Sequence, residues 1–152
     1  MEIVAEMDAQ CAQEELFSWV DDLARYPEWL EIVTRADPAA PRADSPEVPA
    51  WAVDLRGRIG PLARSKRLRM VRTLCDSPNR VRFERAELDG RSHSPWTLEA
   101  DVTGDEASAH LTMRLRYGGG LFGPVLERVL RDEISRSRQR LARLVEDGTD
   151  RP

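Results

Sequence analysis

A carboxylate on the apolar stripe of a helix is out of place, and this chain has one. In the stretch FGPVLERVLRDEISRSRQRLARLVEDG, a rotation of about 100° per residue puts Glu133 and Ser137 in the sector spanned by Leu126, Val129, Leu130 and Leu144. An unpaired charge there is costly, so Glu133 has to meet a cation, water or a ligand. Arg72 shares strand parity with Leu68 and Met70, which points it to the same interior. Two readings stand side by side. One is structural: an internal ion pair, or Arg72 turned outward by a bulge. The other is a polar anchor inside an apolar pocket. The remaining chemistry is thin. His93 and His110 are the only histidines, and neither has a Ser or Cys with an orienting acid at readable spacing, which argues against a hydrolytic triad. Cys11 and Cys75 have no CxxC spacing and no nearby His. They read as reduced thiols, Cys75 as a small buried hydrophobe, and no metal or cofactor is expected. The run GGGLFG lacks the Gly-Lys-Ser/Thr ending of a phosphate loop.

The elements that must position Glu133 and Arg72 follow from periodicity. Residues 2–8 alternate as a short strand, with Ile3, Ala5 and Met7 on one side. From Ala12 the spacing of Leu16, Phe17, Val20 and Leu23 is helical, and Tyr26-Pro27-Glu28-Trp29 interrupts it. Pro27 suits the first turn of a new helix, so two short helices with a corner are expected, the corner pinned by Tyr26 and Trp29. A strand over 32–36 leads into a Pro-rich loop, residues 37–50. Strand patterns then recur at Trp51/Val53/Leu55, Leu68/Met70/Leu74, Val81/Phe83, Trp96 to Val102 and Ala109 to Tyr117. One face is apolar and the other wet, as in an antiparallel sheet covered on one side. The long helix is the cover, with Gly148 as its stop. The turns Gly57–Pro61, Glu87–Ser94 and Gly118–Gly123 fall at one end of such a meander, where a cavity mouth is expected.

With 152 residues, 41% hydrophobic and 33% charged, the chain reads as one domain, residues 1–152, that buries roughly 70% of its unfolded surface. No apolar run spans a bilayer, so no stable membrane insertion is expected. The acidic start MEIVAEMDAQ lacks the pattern of a secretory signal, and the expected location is cytoplasmic. The net charge of −4 is uneven: residues 1–50 carry 12 acids and 3 bases, residues 51–85 carry 10 bases and 3 acids. The basic block alternates its charges with apolar residues and has no interleaved aromatics, which fits a wet strand face and no nucleic-acid site.

This order of elements resembles the helix-grip fold of the START and birch-pollen-allergen superfamily, in particular its polyketide cyclase/dehydrase-like branch. The stretches that carry the likeness are the apolar helix followed by RYPEWL, the strands RVRFER and SPWTLEA, and the passage from glycines into the long helix. The resemblance implies an α+β fold in which a curved antiparallel sheet of about seven strands wraps the C-terminal helix around an apolar cavity. It brings no shared catalytic motif. The expected partner is a hydrophobic small molecule, lipid or polyketide-like. Strand parity places Trp51, Met70, Phe83, Trp96, Leu98, Met113, Tyr117, Leu130 and Ser137 around it, with Arg72 and Glu133 as polar anchors. An aromatase/cyclase with Glu133 or Tyr117 moving protons is the alternative, and a protein-interaction module a third class. Oligomeric state stays open, a homodimer included.

Overall fold

The computed structural model describes residues 1–59, 62–118 and 123–149. Seven antiparallel strands form one sheet: β1 (Glu2–Ala9), β2 (Val33–Ala39), β3 (Ala50–Ile59), β4 (Leu62–Asp76), β5 (Arg80–Arg85), β6 (Trp96–Gly104) and β7 (Ala109–Tyr117). Their order is β1-β7-β6-β5-β4-β3-β2, so the N-terminal strand closes one edge and β2 the other. Helix α1 (Gln13–Ser18) and a 3-10 helix (Leu23–Glu28) join β1 to β2, and helix α2 (Gly123–Thr149) follows β7. This is the expected curved sheet with a long C-terminal helix. The alternation of apolar residues sets the two faces: Val81, Phe83, Ala100, Val102 and Leu111 are buried on one, while Arg67, Arg80 and Arg116 pair with acids on the other. Helix α2 presents Leu130, Ile134, Ser137, Leu141 and Val145 to that apolar face, a spacing of four, three, four and four residues that keeps one stripe inward. The side chains of Leu126 and Val129 lie outside the described residues, and α2 runs through Gly148 to Thr149.

The interruption at Tyr-Pro-Glu-Trp resolves differently from the expectation. Pro27 does not open a second α-helix; it is the fifth of six residues in the 3-10 helix, and α1 has already ended at Ser18. The reason lies in three successive carbonyls. Trp29 Nε1 donates to Trp19 O at 3.2 Å, Tyr26 O–H to Val20 O at 2.8 Å, and Arg72 Nη1 to Asp21 O at 3.0 Å. These bonds satisfy the backbone after α1 without another helical turn. Asp22 then starts the 3-10 helix by accepting from the Ala24 amide at 2.9 Å. Tyr26 is fully buried and its ring meets Trp29 at 4.9 Å and Phe83 at 6.2 Å, so the corner is pinned to the sheet as its aromatics suggested.

Three further expectations shift. Strand β2 extends to Ala39, with Pro38 opposite Trp51, which leaves 40–49 rather than 37–50 as the connection. An edge strand accommodates Pro38 because no ladder bond is lost on its open side. A bulge between Arg72 and Leu74 changes the register of β4 and sets Leu74 opposite Arg82 on the outer face. Cys75, just beyond it, is exposed rather than buried, while Cys11 is buried.

Candidate functional site: an apolar cavity beneath the long helix

Sheet and α2 enclose a cavity of about 100 Å³. Eighteen described residues line it, and none is charged. Its walls come from every layer: Ile3 and Ala5 of β1, Val53 and Leu55 of β3, Leu68 and Met70 of β4, Trp96 and Leu98 of β6, Met113 and Leu115 of β7, Leu130 and Ile134 of α2. The segment from Leu23 to Val33 adds Leu23, Tyr26, Trp29, Leu30, Ile32 and Val33. Polar atoms on this wall are few. The Tyr26 hydroxyl and the Trp29 indole N–H are spent on backbone carbonyls, and burial pushes the Tyr26 phenol well above its ordinary value. The Trp96 indole N–H is buried and has no hydrogen-bond partner. A surface groove of about 370 Å³ between β1 and α2 shares Ile3, Ala5 and Ile134 with the cavity, so these three side chains form a common wall between inside and outside. A roomier cleft of about 500 Å³ over Asp8, His110 and Glu146 lacks such an apolar lining.

Of the residues that parity selected, Met70, Trp96, Leu98, Met113 and Leu130 line the cavity. Trp51 and Phe83 do not; they pack edge to face at 5.6 Å within the core. Tyr117 stacks on Trp96 at 5.1 Å and places its hydroxyl against Met1 Sδ, away from the lining set. Ser137 is buried with its Oγ unpaired, one turn along α2 from Ile134. The residues 60, 61 and 119–122 of the expected mouth lie outside the described part; at its edge the Gly118 amide donates to Pro95 O at 2.9 Å, which extends the β6–β7 pairing by one step.

Arg72 and Glu133 do not form the internal pair that their shared interior parity suggested. Arg72 is held by the Asp21 carbonyl, whereas Glu133 pairs with Arg136 one turn along its own helix. Burial pushes the Asp21 carboxyl up, and the Arg72 guanidinium opposes that rise. The second Glu133 oxygen, Oε2, is buried without a partner. A double-mutant cycle of Arg72→Met and Glu133→Gln by thermal or urea unfolding is therefore expected to give a coupling within about 0.5 kcal/mol of zero. Arg72→Met alone costs about 1–3 kcal/mol, since the Asp21 carbonyl loses a charged donor. A coupling above about 1 kcal/mol would show that the two charges do meet.

The histidines are structural on this geometry. His110 bridges Asp8 at 2.7 Å and Glu6 at 3.4 Å on the outer face, and the Asp8 bond holds its imidazole above the usual histidine range. His93 bonds Asp89 at 2.8 Å. No group of three His, Cys, Asp or Glu suited to a metal ion occurs among the described residues.

Sequence reasoning missed the contribution of residues 23–33, although Tyr26 and Trp29 were visible as buried aromatics. It also passed over Lys66 and Arg85. Lys66 lies opposite the cavity residue Leu55, and Arg85 opposite the cavity residue Met70. Directly opposed residues share a face, so both belong to the concave side. The signal was available: Lys66 has the parity of Leu68 and Met70, not that of Arg67 and Arg69.

The model of a family described as polyketide cyclase / dehydrase and lipid transport matches residues 1–146. No curated protein matches the sequence. Similar solved structures include a START superfamily protein from Mycobacterium smegmatis, with a TM-score of 0.72 at 15% identity over 97% of this chain and 99% of that one. The Zhui aromatase/cyclase of a Streptomyces species gives 0.69 at 10% identity over 96% and 93%. The di-domain ARO/CYC StfQ of the steffimycin biosynthetic pathway gives 0.68 at 15% identity, over 97% of this chain and 51% of that protein. At these identities the likeness is one of fold.

Proposed function

Because this chain belongs to the polyketide cyclase / dehydrase and lipid transport family, we propose that it binds a hydrophobic small molecule in the cavity between sheet and α2. The observation that carries this reading is the uncharged wall, retained in a chain of which 33% is charged. A close-packed interior does not leave such space by default. At about 100 Å³ the space is below the roughly 300–1,000 Å³ of sites for drug-sized ligands. A larger guest has to push the wall outward, and Met70 and Met113 are suited to that because unbranched thioethers repack easily. Burying about 200 Å² of apolar ligand surface contributes roughly 5 kcal/mol before association costs.

The test is a titration with N-phenylnaphthylamine, an uncharged dye that brightens on leaving water. Saturable brightening, reversed by 1-decanol, is the expected result. Emission that never saturates, or that decanol leaves unchanged, would contradict the reading.

Catalysis on a polyketide-like molecule is the second reading; the buried, unpartnered Oε2 of Glu133 favours it, although Glu133 is not among the residues that line the cavity. The other candidate, Tyr117, is poorly placed, with its ring behind Trp96 and its hydroxyl against Met1. The two readings separate on the guest itself. A carrier releases what it took up, whereas a cyclase releases an isomer or a product lighter by one water.

A further inference from the structure

We propose that Lys66 and the Trp96 indole N–H form the polar end of the cavity and select a guest with a carboxylate head on an apolar tail. This rests on the reading of the cavity as a binding site. Among the strand residues whose side chains are described, the register puts three basic ones on the concave face: Lys66, Arg72 and Arg85. Two are committed to the protein. Arg72 donates to the Asp21 carbonyl, and Arg85 pairs with Glu87 at 3.0 Å and reaches Ser94. Lys66 has no hydrogen bond or ion pair among the described residues; its Nζ lies 5.7 Å from the centre of the Trp96 ring. The outer-face neighbours on the same strand differ in this respect. Arg67 pairs with Asp54, and Arg69 donates to the carbonyls of Ala86 and Ala40.

Trp96 supplies an independent observation. It lines the cavity, it is only 8% exposed, and its N–H has no acceptor. A buried donor without a partner costs about 1–3 kcal/mol, and an acceptor on the guest removes that cost. The ammonium over the indole face and the unpartnered indole N–H are each open to an oxygen anion on the guest. Burial draws the Lys66 amine below its ordinary value, helped by the nearby Arg85 charge, the electrostatic setting in which an arriving anion is favoured. The single charge of the Lys66 ammonium matches a carboxylate monoanion. A phosphate monoester, nearer two charges at neutral pH, would be left half neutralised.

The experiment is displacement of N-phenylnaphthylamine by decanoate, 1-decanol and decyl phosphate, in the parent protein and in Lys66→Met, Lys66→Arg and Trp96→Phe. Decanoate is expected to displace the dye at about one-tenth the concentration of decanol from the parent. Lys66→Met should erase that preference, Lys66→Arg should keep most of it, and Trp96→Phe, which retains the stack on Tyr117, should reduce it. Thermal midpoints of the four proteins report whether each is folded. Equal displacement by acid and alcohol in the parent, a preference that survives Lys66→Met, or tighter binding of the phosphate would overturn the assignment while leaving the cavity reading intact. Failure of all three guests to displace the dye would overturn both.

Discussion

Phe83→Ala is expected to lower the thermal midpoint by roughly 6–20 °C, the largest stability effect of any single truncation considered. Phe83 is wholly buried on β5 and touches both aromatic layers, meeting Tyr26 edge-on at 6.2 Å and Trp51 edge-on at 5.6 Å. Removing such a ring costs about 3–5 kcal/mol, and in a chain of this size each kcal/mol moves the midpoint by about 2–4 °C. The ring joins the 3-10 corner to the centre of the sheet, so the loss falls on the fold and not on the guest. Protein that remains folded at low temperature should still bind the dye within about threefold of the parent. A midpoint lowered by less than about 3 °C would contradict the placement, and so would a selective loss of dye binding.

Filling the cavity should have the opposite signature. Ala5 projects from β1 into the space beneath α2 and also lines the groove outside it. Ala5→Leu adds three carbons to a space of about 100 Å³. Leucine fills volume that is empty without a guest, so stability should stay within about 1 kcal/mol of the parent, the gain from filling offsetting strain. Dye affinity should fall at least tenfold, because the substituted side chain occupies what the guest requires. Unchanged affinity with a normal midpoint would place the dye somewhere other than this cavity.

The faces of the sheet were legible in the sequence because a period of two is unambiguous when one side is buried. Leu98, Met113 and Met70 fell on the wall for that reason. Parity does not resolve depth along a strand, however, and Trp51 and Phe83 share the face but pack in the core. The 3-10 corner was half legible. Its aromatics announced burial, but the capture of three successive carbonyls by Trp29, Tyr26 and Arg72 depends on contacts as far apart as Asp21 and Arg72, which no local pattern encodes. The pairing of Arg72 with Glu133, one of the readings that the sequence leaves open, fails for the same reason. A shared interior parity permits a contact without specifying it, and nearer partners, the Asp21 carbonyl and Arg136, take both groups. Lys66 is hidden by its company, because the arginines that alternate with apolar residues around it mark the wet face and its own parity is that of Leu68 and Met70.

Native mass spectrometry of the protein purified from its own host tests most directly whether the cavity holds a hydrophobic guest. The parent should carry a single retained mass that is extracted by organic solvent, and Ala5→Leu prepared in the same way should carry none. A parent that flies at its bare sequence mass, or an adduct retained equally by Ala5→Leu, would contradict the account.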